Sequence, residues 1–265
     1  MISEPLRAAV QGRTLVLKLG GSVGKDDTLP EDVTSLQQAG ARVVIVHGGG
    51  PMITAWLDKT GKETRFVNGL RYTDEETLQV VRMVLGGLVN GEVVARIQGA
   101  GGRSIGLSGG DDRLLRARVK DPELGLVGEV FAVNPQPIEM ALNAGYIVVI
   151  APVALTDDSQ YLNVNADTAA GEVALAIEAD ALLFLTDVPG ISDGTRSLPK
   201  ISAGEASALI DGGVINGGMV PKVAACIRAA APDRLPLIVD GRRPHVVIEA
   251  LLGAEGVGTL FQPDL

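Results

Sequence analysis

Two lysines and an aspartate stand at places in this chain where charge meets bare backbone. Lys18 follows the apolar run Thr14–Leu17 and precedes the glycine pair Gly20 and Gly21. A second apolar run, Val43–Val46, ends in His47-Gly48-Gly49-Gly50-Pro51. Residues of β type before glycine place a buried strand ahead of an open loop. Backbone N–H groups in such a loop can approach an anion closely, and a lysine adds a full charge. Two strands of one sheet would present both loops at the same edge, which suggests a site for phosphate or carboxylate groups. Neither loop reads GxxxxGK[ST] or GxGxxG, so neither a Walker loop nor a dinucleotide fingerprint is expected.

Four further clusters add polar chemistry. Arg71 lies just before a long helical pattern, with Thr73 and Glu76 spaced as a capping box. Its forked guanidinium suits a carboxylate, although a surface arginine would look the same. Asn163 and Asn165 flank the start of another helix, with Asp167 in its first turn. The helix dipole favours a carboxylate there, and the same carboxylate could orient cationic groups. Asp187 ends a strand in Leu185–Ile191, where turn chemistry and a nucleotide-facing loop are both open readings. Gly217 and Gly218 lead into a helix whose first turn holds Pro221 and Lys222. A lysine there opposes the macrodipole, and a locally unfavourable charge beside glycines points to function.

The elements that must position these residues alternate. Strands are predicted at Thr14–Leu19, Arg42–His47, Ser104–Leu107, Tyr146–Ala151, Ala181–Thr186 and Leu235–Val239. Helices are predicted at Pro30–Ala39, Pro51–Thr60, Asp74–Gly99, Pro137–Ala144, Ala166–Ala179, Gly204–Asp211, Val220–Ala231 and Pro244–Leu252. Leu115–Val119 and Leu126–Asn134 read as a projecting hairpin. This rhythm implies an α/β fold, a three-layer αβα sandwich with a mostly parallel central sheet running through two lobes. The boundary is placed near residue 178, giving an N-terminal lobe 1–178 and a C-terminal lobe 179–265. Ligands of such sheets bind at the carboxyl ends of the strands, where both glycine loops fall.

Bulk properties narrow the class. The 265 residues are 46% hydrophobic but only 3% aromatic, so the core must be aliphatic. A formal charge of -9, with no Lys/Arg cluster, argues against nucleic acid and anionic membrane as partners. One cysteine, Cys226, permits no internal disulfide, sits in a helical run as core filler, and fits a cytoplasmic location. No leader-like segment and no apolar run of spanning length is read in the chain.

The ordered motifs resemble those of the amino-acid kinase family, and within it the N-acetylglutamate kinases, over nearly the whole chain. They are KLGGS at Lys18–Ser22, VHGGGP at Val46–Pro51, NGLRYT at Asn68–Thr73, GLSGGD at Gly106–Asp111, NVNADTAA at Asn163–Ala170, LTDVPGI at Leu185–Ile191 and GGMVPK at Gly217–Lys222. The resemblance implies transfer of the γ-phosphate of ATP, with Mg2+, to the side-chain carboxylate of N-acetyl-L-glutamate. It implies that Lys18 faces the acceptor, that Lys222 faces the nucleotide and that Asp167 holds both. Gly20, Gly21, Gly48 and Gly49 would donate backbone N–H groups, and Arg71 and Asn163 would hold the acceptor's far end. Asp187, Gly217 and Gly218 would face the nucleotide. His47 is read as structural, because a carboxylate nucleophile needs no base. The resemblance also implies a homodimer core. His245 and Glu249, four apart on one helix face, match the arginine-binding signature of feedback-inhibited members, which would make L-arginine an inhibitor. A hexamer built by a long N-terminal helix is the weaker expectation, since about a dozen residues precede the first strand. The rival acceptors are N-acetyl-aminoadipate and its carrier-bound form, one methylene longer. A non-catalytic arginine or nucleotide sensor is the rival of a different class.

Overall fold

The structure, a computed structural model, describes residues 2–20, 28–67 and 69–264. Eight strands form its main sheet: β1 (Thr14–Leu19), β2 (Arg42–His47), β3 (Ser104–Ser108), β4 (Ile147–Ala151), β5 (Ala181–Thr186), β6 (Lys200–Ser202), β7 (Leu235–Asp240) and β8 (Thr259–Gln262). They lie in the order β6-β8-β7-β5-β1-β2-β4-β3. All neighbours run parallel except β7 and β8. The expected mostly parallel sheet is therefore present, and β1 joins the two halves of the chain through β2 and β5.

Burial explains the composition. Strands β1 and β5 are buried along their whole length, as parallel strands covered on both faces must be. Period-two alternation then assigns each side chain a layer. Leu15, Leu17 and Leu19 of β1 enter one core, together with Val43 and Ile45 of β2. Val16 of β1, with Val44 and Val46 of β2, enters the other. Lys18 shares the face of Val16, and His47 shares the face of Ile45. The sheet thus separates the lysine from the histidine although their strands are adjacent.

Beside the main sheet, Leu115–Val119, Val127–Val133, Val153–Leu155 and Tyr161–Val164 close into a small barrel. The expected hairpin is its first two strands. Two short strands of the main sheet, β6 and β8, were not anticipated, nor was the short helix Glu4–Val10.

The segment Glu75–Gly99 is one continuous helix whose middle, Val84–Val89, is a π-helix. By length and composition it is the one helix among the described residues that could cross a membrane, against the expectation of no such run. Its Asn90 and Ile97 are buried against this chain's own sheet, which gives it a place in the globular core. Met83, Leu88 and, on the neighbouring edge strand β3, Ile105 remain exposed.

The capping box is corrected. The N-cap of this helix is Asp74, whose side chain accepts from Thr77 N, while Glu76 pairs with Lys62 at 2.7 Å. Thr73 is fully buried, and its hydroxyl donates to the Arg71 carbonyl at 2.9 Å. Removing it from the cap gives it to the site.

Candidate active site

Three segments bring the distant charges together. Lys18 ends β1 on the face covered by the helices Ala166–Ala176 and Met219–Ala229. Asn165 caps the first of these helices, its side chain accepting from the backbone N–H groups of Asp167 and Thr168 at 2.9 and 3.0 Å. The cap fixes Asp167 in the first turn, where the positive end of the helix favours a carboxylate.

From there the two carboxylate oxygens divide their work. Asp167 Oδ1 lies 2.8 Å from Lys18 Nζ, and Lys222 Nζ donates to Asp167 Oδ2 at 2.8 Å. Lys222 Nζ also donates to the Gly218 carbonyl at 3.0 Å. The lysine that opposes its own helix dipole is compensated by these two acceptors. One carboxylate therefore holds two ammonium groups side by side, and the Asp187 carboxylate is a further negative charge acting on Lys18. Burial lowers the pKa of Lys18; the Asp167 carboxylate works against that shift, and the Lys222 charge adds to it. Buried charges are costly, and two ammonium groups gathered on one buried carboxylate mark a candidate site for an anion.

The acceptor side is a cavity of 170 Å³ bounded by Gly48, Gly49, Phe66, Arg71, Asn163 and Ala166. Arg71 is buried, and its guanidinium donates to the Gly50 carbonyl and Thr54 Oγ1 at 2.9 Å each and to Thr64 Oγ1 at 3.3 Å. It also lies 4.9 Å from the Phe66 ring. Of its five N–H donors, Nε and one on Nη1 find no acceptor among the described residues. Asn163 Nδ2 donates to Thr73 Oγ1 at 3.0 Å, so Arg71, Thr73 and Asn163 form one chain of contacts. Sequence reasoning missed Thr54, Thr64 and Thr73 in this role, because a threonine hydroxyl carries no signal until an arginine is packed against it.

The glycine loops need a correction. Gly20 N–H donates to the Leu185 carbonyl at 3.0 Å and Gly48 N–H to the Leu19 carbonyl at 2.9 Å. Each extends a ladder of the sheet, so neither is the anion donor expected of it. The N–H groups of Gly49 and Gly50, at the start of the helix Gly50–Lys59, find no acceptor among the described residues. A Cβ on Gly49 would stand 2.5 Å from Leu85 Cδ2, so the backbone approaches the π-helical turn closely. Gly21, Ser22 and Asn68 lie outside the described residues.

On the C-terminal side, Gly217 is left-handed (φ 54°) and Gly218 precedes the lysine-bearing helix. Asp187 is exposed at the end of β5 and accepts from Thr186 Oγ1 at 3.2 Å. Cys226 is fully buried, and burial raises its thiol pKa, which removes it from nucleophilic roles. His245 and Glu249 do not pair across a helix face. His245 stands before the helix in a left-handed conformation (φ 56°) with Nδ1 2.7 Å from Asp32 Oδ1, while Glu249 holds Arg243 Nη2 at 2.9 Å.

His47 is buried, and burial lowers its pKa to about 4 from the ordinary 6.5. The folded state then binds fewer protons than the unfolded chain between those values. Its contribution to stability is complete above the unfolded value and is lost as the pH falls toward about 4, by roughly 3 kcal/mol in all. Urea unfolding at about pH 7 and about pH 4.5 should show this loss, and a His47→Asn variant should show less of it. Equal slopes for the two proteins would contradict the assignment.

A sheet of this topology, with two lysines bridged by an aspartate at its carboxyl edge, defines a class. The amino acid kinase family model matches residues 13–239, and the chain belongs to that family. Within it, the acetylglutamate kinase of Trichormus variabilis is 46% identical, covering 98% of this chain and 92% of its own length. That of Caldanaerobacter subterraneus subsp. tengcongensis is 44% identical, covering 94% and 87%. Among solved structures, smu.665 of Streptococcus mutans UA159 superposes with a TM-score of 0.82 at 29% identity, over 95% of this chain and 99% of its own. Carbamate kinase of Giardia lamblia, 17% identical with a TM-score of 0.69 over 96% and 99%, shares the fold.

Proposed function

We infer that this chain is an acetylglutamate kinase, transferring the γ-phosphoryl group of ATP to the side-chain carboxylate of N-acetyl-L-glutamate. The observation that carries the reading is the single carboxylate of Asp167 bridging Lys18 and Lys222 beside a cavity that ends in Arg71. The nucleophile is already ionised at neutral pH, so the reaction needs no base. The barrier lies in bringing two anions together and in the charge that spreads over the phosphoryl oxygens. Two ammonium groups and the N–H groups of Gly49 and Gly50 answer both demands by electrostatics.

Arg71 and Asn163 bind the acceptor's α-carboxylate and acetamido end, and the buried aliphatic floor limits its length. Lys18 faces the acceptor oxygen, and Lys222 the phosphoryl group on the nucleotide side. Residues 1–178 form the acceptor lobe and 179–265 the nucleotide lobe, with Asp187, Gly217 and Gly218 toward the nucleotide. Mg2+ would come with ATP and would neutralise phosphate charge, and the exposed carboxylate of Asp187 would face it. Met83, Leu88 and Ile105 supply an apolar face for a second copy of the chain. L-arginine inhibits through His245 and Glu249, an arginine ligand taking the place on Glu249 that the Arg243 guanidinium holds here. The location is cytoplasmic.

The test is ATP-dependent acyl phosphate formation, trapped as hydroxamate, with N-acetylglutamate and N-acetyl-aminoadipate in parallel, each with and without arginine. Preference for N-acetylglutamate supports the reading. One methylene is worth about 1–3 kcal/mol, so preference for the longer acceptor would move the chain to that substrate with the machinery unchanged. No turnover with either would refute the kinase assignment.

A further inference from the structure

The site has a back. His47 and Asn90 lie behind the sheet, on the face opposite Lys18, and neither borders the acceptor cavity. Both are buried, at 1% and 6% exposure. His47 Nδ1 lies 2.8 Å from the Gly48 carbonyl, and His47 Nε2 lies 3.2 Å from Asn90 Nδ2. Asn90 Nδ2 is also 3.0 Å from the Val149 carbonyl.

Asn90 Nδ2 lies farther, at 3.5 Å, from the Leu107 carbonyl, so its two hydrogens go to the two nearer acceptors. A carbonyl only accepts, so Asn90 turns its NH2 toward Val149 and therefore toward His47. The Gly48 carbonyl likewise requires a proton on His47 Nδ1. Nε2 must then be bare, accepting from Asn90. An imidazolium would set two donors against each other. Burial, which holds this ring neutral, agrees with that arrangement.

The Gly48 carbonyl belongs to the same planar unit as the Gly49 N–H. In a trans peptide the two point in opposite directions. A bond that draws the carbonyl back behind the sheet turns the Gly49 N–H forward, toward the cavity that Gly48 and Gly49 border. It also polarises that N–H, because hydrogen bonds in a chain strengthen one another. We propose that His47, held by Asn90 as its Nδ1–H tautomer, is a positioning residue that aims the Gly49 N–H at the transferring phosphoryl group or the reacting carboxylate.

The surroundings are shaped for this relay. Asn90 follows directly on the π-helical segment Val84–Val89, and a π turn resets which side chains of a helix face inward. A Cβ on Gly106 of β3 would stand 1.9 Å from Asn90 Oδ1, so a glycine there leaves space for the amide. Leu85 of the same π turn abuts Gly49.

The proposal rests on the kinase reading for its consequence but not for its geometry, and the experiment separates the two. The chain has two histidines, so 15N-histidine labelling gives two imidazole spin systems, and a His245→Asn variant assigns them. At neutral pH the wild-type protein should show His47 protonated at Nδ1 and bare at Nε2. The Nε2–H tautomer would overturn the proposal whether or not the protein is a kinase. For the consequence, His47→Asn keeps an N–H donor near the Nδ1 position, whereas His47→Gln moves it to the Nε2 position. The expected result is near-normal kcat for His47→Asn and a loss of about 10²-fold for His47→Gln, with KM for both substrates changed far less. Equal kcat for the two variants would overturn it, because a merely structural histidine has no preference between them. If both variants misfold, the tautomer measured on the wild-type protein decides.

Discussion

An Asp167→Asn variant is expected to lose at least about 10³-fold in kcat and to become less stable by about 3–5 kcal/mol near neutral pH. The asparagine keeps the shape of the aspartate and removes the charge that holds two lysines together. Lys18 Nζ and Lys222 Nζ each lie 2.8 Å from that carboxylate, and the Lys18 and Asp167 side chains are only 7% and 8% exposed. Water cannot replace the lost charge. Burial already lowers the Lys18 pKa, with Asp167 opposing it, so removing Asp167 lowers it further. The sign of the pH effect follows. A lysine whose folded pKa lies below its unfolded value binds fewer protons folded than unfolded in that interval. Stability therefore rises with pH across it, and the rise should begin at lower pH in the variant than in the wild type. Denaturant titrations at several pH values, run beside steady-state kinetics, check both parts. Wild-type kcat, or an unchanged pH dependence of stability, would contradict the bridging role.

Lys222→Ala should lower kcat by about 10²–10³-fold while leaving the acceptor KM within about twofold. The bonds of Lys222 go to Asp167 and to the Gly218 carbonyl, whereas Arg71 and Asn163 line the acceptor cavity. Lys222 stands at a helix start that disfavours cations, which is a cost to the resting protein. Asp167 and the Gly218 carbonyl offset that cost in part, and negative charge developing in front of the ammonium offsets the rest, so the loss should fall on the transition state. A matching rise in acceptor KM would mean that Lys222 holds the substrate rather than the transferring group.

Much of this was legible before the fold. Lys18, Gly20 and the loop Gly48–Gly50 are local patterns, strand then turn, and the sheet places them where such patterns must go. Asp167 was legible through its cap, because Asn165 and the helix start are adjacent in sequence. That Asp167 faces both lysines came from the resemblance and not from local pattern, since Lys222 is 55 residues away and the packing of two helices brings them together. Thr73 misled because its spacing to Glu76 suits a cap, and burial beside Arg71 overrode it. Gly20 and Gly48 were read as donors because glycine before an anion site is a frequent arrangement, but strand register claimed their N–H groups first. Asn90 was invisible, for its inward direction depends on a π turn that no periodicity announces. His245 and Glu249 share a spacing, yet a left-handed residue at the helix entrance separates their side chains.

The most direct test of the account follows an oxygen atom. N-acetylglutamate carrying 18O in both side-chain carboxylate oxygens is incubated with the protein, ATP, Mg2+ and hydroxylamine, and the inorganic phosphate released is analysed. If the side-chain carboxylate attacks the γ-phosphorus, the bridging oxygen of the acyl phosphate leaves with phosphate when hydroxylamine takes the acyl carbon. Each phosphate should then carry one 18O, in step with hydroxamate and ADP. Unlabelled phosphate formed at the same rate as ADP would mean that water, not the acceptor, receives the phosphoryl group, and the site described for Lys18, Asp167 and Lys222 would then serve a different reaction.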